Sequence, residues 1–167
     1  MSHTISSFED FKVFEGQEIG VSEWLEVTQE QIDQFADATN DHQWIHVDVD
    51  RAKKEMPGSK TIAHGYLTLS MIPTMSSSFI EFKNLERAIN YGVNRVRFTN
   101  PVPVNSKIRV RATVARVRRR SGAVHVIGET TVEIQGEEKP ACVAETVSFY
   151  YFNWSGRNYW SKVKPGI

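Results

Sequence analysis

The sequence is poor in cysteine and carries no excess of either charge. Cys142 is its only cysteine, so neither an internal disulfide nor a cysteine-based metal site can form within the chain. Twenty basic residues balance twenty acidic ones, and a net charge of zero gives no support for nucleic acid or an anionic membrane as a partner. Residues 1–10 are polar and contain no apolar signal-peptide core. We therefore expect a cytoplasmic protein with no nucleic-acid or membrane partner.

Charge is also missing from one long segment, between Thr61 and Ile80. About twenty uncharged residues have the length of a membrane span. Serines, threonines and a histidine dilute the segment and Pro73 interrupts it, which argues against a span. A helix without charge on any face is otherwise buried on all sides. The sequence thus predicts a buried helix from about His64 to Ile80, bent at Pro73 because proline removes a backbone donor.

Shorter elements are predicted before this helix. Residues 1–16 are expected to form an arm or a short helix, and residues 21–27 contain an early strand candidate. Thr28 and Gln31 have the spacing of a capping box, in which each side chain bonds the other residue's backbone N–H. This pattern predicts a helix over about residues 28–39.

After Phe82 apolar residues alternate with polar ones, which is typical of strands with one buried face. The alternation covers residues 91–98, 108–114, 124–134 and 141–151. Turn residues at 120–122 and 135–138 indicate hairpins, so neighbouring strands should pair antiparallel. Strands of this length exceed about 30 Å, whereas the buried helix is about 25 Å long. The sequence therefore predicts an α+β hotdog fold, in which a curved antiparallel sheet wraps a long central helix. One domain is expected to span residues 1–167, with a tail at 153–167.

Polar residues that suit acid–base chemistry lie beside the predicted buried helix. Asp41 and His46 are five residues apart in the loop after the first helix, and Gly65 lies near the start of the buried one. A carboxylate and an imidazole that flank one water can exchange protons with it. Free N–H groups at a helix start can stabilise a developing oxyanion. The alternative is structural: an Asp that caps a turn, a histidine bonded in the core and a helix-start glycine.

The stretch from Phe35 to Ala52 resembles the hydratase signature of the MaoC-like dehydratases, the (R)-specific enoyl-CoA hydratases. The matching positions are Phe35, Thr39, Asp41, Ile45, His46 and Ala52. The chain departs from the signature at Asn40 for Gly, Gln43 for Asn and Trp44 for Pro. Residues 41–46, 62–65 and 90–98 are similar to the NodN-like branch, and the resemblance covers roughly residues 17–150.

This resemblance implies the hydration of a trans-2-enoyl thioester to the (R)-3-hydroxyacyl thioester, or the reverse reaction. It implies no metal or redox cofactor, with CoA or acyl carrier protein as the substrate carrier. Asp41 and His46 would hold the catalytic water, and the backbone N–H of Gly65 would serve the thioester oxygen. The alternatives are a hotdog acyl-CoA thioesterase and a non-catalytic acyl-thioester-binding protein. The Asp41–His46 pair favours the hydratase.

Four further residues are candidates for the substrate pocket: Gln43, Trp44, His64 and Ser70. Trp44 either walls the pocket or packs elsewhere. His64 lines the site, supports the loop geometry or is a bonded core histidine. Ser70, like Ser77, either faces the site or bonds the preceding helical turn.

Two other groups of residues have weaker functional interpretations. His42, His46 and His64 are candidate metal ligands, but no cysteine or second carboxylate accompanies them, so no metal site is expected. Residues 118–120 are consecutive arginines, which either meet CoA phosphates or form a solvated turn.

A homodimer is expected as well. A single sheet wrapped on one helix leaves an edge strand with unpaired backbone groups, and the hotdog resemblance implies that two such edges pair. Residues 87–98 carry apolar side chains on both faces and contain no proline. A self-complementary two-fold contact there would place the acyl tunnel near the subunit boundary.

Overall fold

The computed structural model describes residues 2–153. The helices are α1 (Phe8–Val13), α2 (Gln29–Thr39), α3 (Trp44–Val47), α4 (Val49–Glu55), α5 (Gly65–Ser70) and α6 (Ile72–Ser76), with a 3₁₀ turn at Pro57–Ser59. The strands are β1 (His3–Ile5), β2 (Gln17–Val21), β3 (Leu25–Glu26), β4 (Ile80–Phe82), β5 (Leu85–Phe98), β6 (Lys107–Arg120), β7 (Ala123–Ile134) and β8 (Cys142–Phe152). Most of the predicted 153–167 tail lies outside the described residues.

The main sheet is antiparallel and has the order β2-β6-β7-β8-β5, with β3 paired to the start of β6. The β6–β7 connection explains part of this order. Ser121 and Gly122 have φ angles of 51° and 76°, which is the geometry of the tight turns that match strand twist. The antiparallel pairing of the long strands is therefore confirmed, and β5 lies at an edge of the sheet.

One face of the sheet packs against α5 and α6 and forms the core. Ile108, Val110 and Val132 are completely buried on that face. Leu67 and Met75 pack into the same apolar cluster from the helices. The two helices thus cover the sheet from β8 to β6.

The predicted central helix is shorter than expected and is not buried on all sides. Instead of one helix over residues 64–80, α5 and α6 are separated at Met71, two residues before Pro73. Serine hydroxyls help to end α6, because Ser77 Oγ donates to the carbonyl of Thr74 at 2.6 Å. Beyond it, Ile80 begins strand β4. Tyr66 is 67% exposed, so one face of the helical segment is open within a single chain.

The N-terminal segment is part of the fold. β1 pairs in parallel with β4, and Ile5 and Phe11 are buried. Of the two alternatives expected there, an arm or a short helix, the short helix is present as α1. The strand predicted at 21–27 is divided after Val21. The Ser22 N–H still donates to the Val110 carbonyl, but the Val110 N–H donates to the Ser22 hydroxyl, so a side chain replaces the next bond of the ladder. Between residues 2 and 153, no helix combines the length and apolar composition that crossing a membrane requires.

Candidate active site

A left-handed residue at the end of α2 presents Asp41. Helix α2 begins with the predicted capping box between Thr28 and Gln31. It ends at Asn40, whose φ is 57° and ψ is 28°. Asparagine and glycine both tolerate this conformation, so Asn40 can replace the glycine of the signature. The N–H of Asp41 then donates to the carbonyl of Ala36 at 3.1 Å, and the Asp41 side chain remains 58% exposed.

His46 is buried on α3 with one nitrogen already engaged. The ring is 7% exposed, and its Nδ1 lies 2.7 Å from the carbonyl oxygen of Ile62. Since a carbonyl only accepts, Nδ1 carries the hydrogen and the neutral ring keeps a lone pair on Nε2. Burial lowers the pKa of His46, although the Ile62 bond and the charge of Asp41 act in the opposite direction. The ring is thereby suited to act as a neutral base.

His64 connects these two residues. It is 3% exposed, and its Nε2 donates to the backbone carbonyl of Asp41 at 2.9 Å. The same nitrogen is 3.9 Å from Asp41 Oδ2. The His64 and His46 rings are stacked, with centroids 3.7 Å apart and an interplanar angle of 26°. Asp41, His46 and His64 therefore form one cluster at the start of α5.

Several bonds join the segments that carry this cluster. The N–H of Ile62 donates to the carbonyl of Ile45 at 3.0 Å. The side-chain amide of Gln29 donates to the carbonyl of His46 at 2.8 Å, while its oxygen accepts from the Thr61 hydroxyl at 2.5 Å. Sequence reasoning missed Gln29 and the Ile62 carbonyl, because neither has a chemical pattern that marks it. Only its place in the first turn of α2, directly after the Thr28 cap, could have drawn attention to Gln29.

The cluster contains residue types that bind metals, but not all of their ligand atoms are free to do so. Candidate ligand atoms of Asp41, His46 and His64 all lie within 4.8 Å of one another. However, His46 Nδ1 and His64 Nε2 carry hydrogens bonded to carbonyls. Apart from Nδ1 of the buried His64 ring, the lone pairs that this bonding leaves open are those of the Asp41 carboxylate and His46 Nε2. Two such acceptors suit a water molecule, and the expected absence of a metal stays a prediction.

Gly65 is the first residue of α5, where backbone N–H groups have no partner within the helix. Its lack of a side chain has a clear steric reason. A Cβ at this position would lie 2.7 Å from the Phe98 ring. Phe98 in turn meets Tyr66 edge to face, with ring centroids 5.6 Å apart. Sequence reasoning missed both aromatic residues, which are partly exposed beside the helix start.

The structure places the other pocket candidates less centrally. Gln43 is exposed, and its carbonyl accepts from the His46 N–H at 2.9 Å. Trp44 is half-buried beneath the guanidinium of Arg51, 4.1 Å from the ring centroid. Ser70 is exposed and its hydroxyl donates to the carbonyl of Tyr66 at 2.7 Å. The Trp44 ring thus packs on Arg51 and the Ser70 hydroxyl bonds the preceding helical turn. A pocket role for Gln43, Trp44 or Ser70 stays a prediction.

The arginines at 118–120 lie at the far end of β6 from the cluster. The site segment contacts the chain just before β6, where Ala63 N–H donates to the Val102 carbonyl. About ten strand residues, or roughly 30 Å, separate these points. Arg119 lies over the Phe8 ring and pairs with Glu9. Within one chain, residues 118–120 therefore lie far from the cluster, and a contact with CoA phosphates stays a prediction.

Known proteins similar to this chain identify its family. The family model for the MaoC like domain matches residues 10–136. The 3-hydroxyacyl-thioester dehydratase Z of Mycobacterium tuberculosis (strain ATCC 25618 / H37Rv) is 45% identical over 148 residues, which cover 88% of this chain and 97% of that protein. Nodulation protein N of Rhizobium meliloti (strain 1021) is 42% identical over 149 residues, covering 88% and 92% respectively.

Among solved structures, the R-hydratase PhaJ1 from Pseudomonas aeruginosa in its unliganded form is similar, with a TM-score of 0.66 and 20% identity. The match covers 82% of this chain and 81% of that one. At this identity the likeness shows the fold alone, and it confirms the predicted α+β hotdog architecture.

The chain belongs to the MaoC-like dehydratase family, and its resemblance to the NodN-like branch is confirmed. It is accordingly an enzyme of the hydro-lyase class. Membership covers the region that contains Asp41, His46 and Gly65.

Proposed function

We propose that this enzyme hydrates a trans-2-enoyl thioester to the (R)-3-hydroxyacyl thioester, or catalyses the reverse dehydration. The observation that carries the proposal is the bond from His46 Nδ1–H to the Ile62 carbonyl. It leaves the Nε2 lone pair of His46 free, and because candidate ligand atoms of Asp41, His46 and His64 lie within 4.8 Å of one another, the carboxylate and the imidazole can flank one water. The 3-hydroxyacyl-thioester dehydratase among its relatives supports the substrate class.

The proposed chemistry needs only groups of this chain and a water. In the hydration direction, Asp41 accepts one proton of the water while the oxygen adds to the β-carbon. His46 Nε2 accepts a hydrogen bond from the second proton and fixes the orientation of the water. The proton held by Asp41 then passes to the α-carbon on the same face. The backbone N–H of Gly65 donates to the thioester oxygen as negative charge develops on it.

The carrier of the acyl group is CoA or acyl carrier protein, and no metal or redox cofactor takes part in the proposed steps. We place the reaction in the cytoplasm, because the only cysteine is a buried free thiol and the chain has no need of an oxidising compartment. Because no metal takes part in the proposed steps, dialysis against a strong chelator should leave the rate unchanged. A loss of rate that is recovered on adding back a divalent metal would contradict the proposal.

The test supplies the protein with crotonyl-CoA and longer trans-2-enoyl-CoAs and follows two signals at once. Hydration removes the absorbance of the conjugated double bond without releasing a thiol. Release of free thiol from saturated acyl-CoA would instead indicate a thioesterase. Binding without either change would indicate a non-catalytic acyl-thioester-binding protein. Chiral analysis of the 3-hydroxyacyl product tests the (R) configuration.

We also propose that the enzyme is a homodimer joined along β5. This strand is an edge of the main sheet, and Ile89, Tyr91 and Val93 on it are 41%, 68% and 41% exposed. Phe98, at the same edge, lies over Gly65. Pairing two β5 strands would satisfy the open backbone groups and bring the second chain close to the site.

A further inference from the structure

We propose that His64 is a positioning residue that holds Asp41 and His46 in place around the water, rather than a wall of the substrate pocket. The inference rests on the proposed function, since it concerns the same water site. One buried ring touches both residues. Its Nε2–H donates to the Asp41 carbonyl at 2.9 Å, and its face stacks on His46 with centroids 3.7 Å apart.

The Asp41 backbone is held from two sides. Its N–H donates to the Ala36 carbonyl at the end of α2, and its carbonyl accepts from His64. The carboxylate itself is 58% exposed, so burial does not fix its direction. The two backbone bonds therefore set where the carboxylate points, and removing the His64 bond leaves Asp41 anchored at one end only.

Bonding also selects the tautomer of His64. A carbonyl can only accept, so Nε2 carries the hydrogen. Nδ1 is buried and has no hydrogen-bond partner among residues 2–153. A hydrogen on Nδ1 would thus be a buried donor without an acceptor, which is unfavourable. Phe35 packs against the same ring at 5.1 Å and further restricts it.

The position of His64 in the chain extends its effect to the oxyanion donor. His64 is the N-cap residue of α5, and Gly65 is the first residue of that helix. The bond from His64 to Asp41 consequently ties the start of α5 to the loop that carries the acid–base pair. It sets the distance between the water and the Gly65 N–H, which must act on the two ends of the same enoyl thioester.

Three substitutions separate hydrogen bonding from packing. His64→Gln places an amide nitrogen near the position of Nε2 and keeps a donor for the Asp41 carbonyl. His64→Asn is too short to reach it. His64→Phe keeps a ring for stacking but has no N–H. Rates, KM values and melting temperatures are measured for all three with crotonyl-CoA.

We expect His64→Phe and His64→Asn to lower kcat by about 10- to 100-fold, because misplacing reacting groups by about 1 Å can cost that much. KM should change little, since His64 does not touch the substrate. His64→Gln should recover most of kcat. A merely structural role would instead lower the melting temperature in all three variants without a selective recovery of kcat in His64→Gln.

A second measurement does not depend on activity. Long-range ¹H–¹⁵N NMR spectra of the wild-type enzyme distinguish the two imidazole tautomers, and the ring contact with His46 assigns His64. The expected form carries hydrogen on Nε2 alone, and an Nδ1–H tautomer would overturn the proposal even where the variants do not fold.

The outcomes separate the two proposals. If wild-type protein neither hydrates enoyl-CoA nor dehydrates its product, the proposed function fails. If the wild type is active but His64→Phe keeps more than half of kcat, the function stands and the positioning role falls. A folded His64→Gln no more active than His64→Phe also overturns it.

Discussion

Asn40 shows how one backbone conformation directs the chemistry of the next residue. Its left-handed φ of 57° turns the chain at the end of α2 and places Asp41 beside the start of α5. The sequence pointed to Asp41 and His46 through their residue types, their spacing and their match to the family signature, all of which are local, and their catalytic roles stay predictions. It was not sufficient to find the Ile62 carbonyl or Phe98, because those contacts join segments that are distant in the chain.

Removing the proton-accepting carboxylate should nearly abolish turnover. Asp41→Asn keeps the size of the side chain but not its basicity, and general acid–base groups contribute on the order of 10² to 10⁴ in rate. Asp37→Asn, also a change to an exposed carboxylate of this region, is the matched control and should stay active.

The double variant tests whether Asp41 and His46 act on one water. Combining Asp41→Asn with His46→Ala should lower the rate by less than the two separate losses multiplied together. Strict additivity, or more than half of wild-type kcat in Asp41→Asn, would contradict a shared water.

His46 should set the acidic limb of the pH profile. Burial lowers its pKa, so Nε2 stays free to accept until the pH falls below the ordinary histidine value of about 6.5. We expect kcat/KM to decline only below that pH. His125, whose pKa is also lowered by burial, lies away from the site, and His125→Gln should leave this limb in place. An acidic limb centred above pH 7 would contradict the neutral-base role.

The same group links stability to pH. A histidine with a lowered folded pKa binds fewer protons in the folded state than in the unfolded state. Its contribution is therefore complete above about pH 6.5 and is lost as the pH falls through the folded value. Urea unfolding between pH 5 and 8 should show a shallower acid loss in His46→Gln than in wild type.

Gly65 is constrained by packing as well as by chemistry. In Gly65→Ala the new methyl group would meet the Phe98 ring, so both melting temperature and rate should fall. Adding Phe98→Ala removes the collision and should restore the melting temperature, whereas the rate should stay low because the methyl still crowds the thioester. Phe98→Ala alone provides the reference rate. Recovery of both quantities in the double variant would remove support for the oxyanion role.

Among the secondary-structure elements, the sequence predicted where helix α2 begins better than how long the central helix is. The Thr28–Gln31 capping box is present as predicted, because a cap depends on a few neighbouring residues. The uncharged segment was misjudged as one helix. Its serines bond carbonyls of the preceding helical residues, and its last residues join strand β1 instead. The absence of charged residues does not show that the end of the segment pairs with β1 instead of continuing the helix.

The capping box should matter for stability, since α2 carries the residues that lead into the site. Thr28→Val removes the hydroxyl that accepts from the Gln31 N–H, which should cost about 1 kcal/mol. Thr39→Val, at the other end of α2, loses only a bond to a helix carbonyl and serves as the control. Urea unfolding compares the two. Equal stability of Thr28→Val and wild type would show that the cap contributes nothing.

For the whole molecule, the alternation of apolar residues, the turn residues and the uncharged helical segment were together enough to predict the antiparallel sheet and its hotdog class. They were not enough to show that β5 lies beside β8, since that pairing joins residues that are between 44 (Phe98 and Cys142) and 67 (Leu85 and Phe152) positions apart. The same edge position leaves Tyr91 and Val93 open in a single chain. We propose that a second chain packs over these two side chains.

The dimer should be separable from folding by changing this edge. Wild-type protein at micromolar concentration should sediment with twice the 19.1 kDa of one chain. Val93→Lys places a charge on the exposed part of β5, where it would be buried by a partner, and should shift the mass toward one chain and reduce the rate. Val13→Lys is the matched control, because Val13 is also an exposed apolar residue, at 69%, but lies on α1. It should leave mass and rate unchanged. If the wild-type protein is fully active at the mass of one chain, the proposed dimer is refuted, because the exposed β5 edge then does not require a second chain for activity.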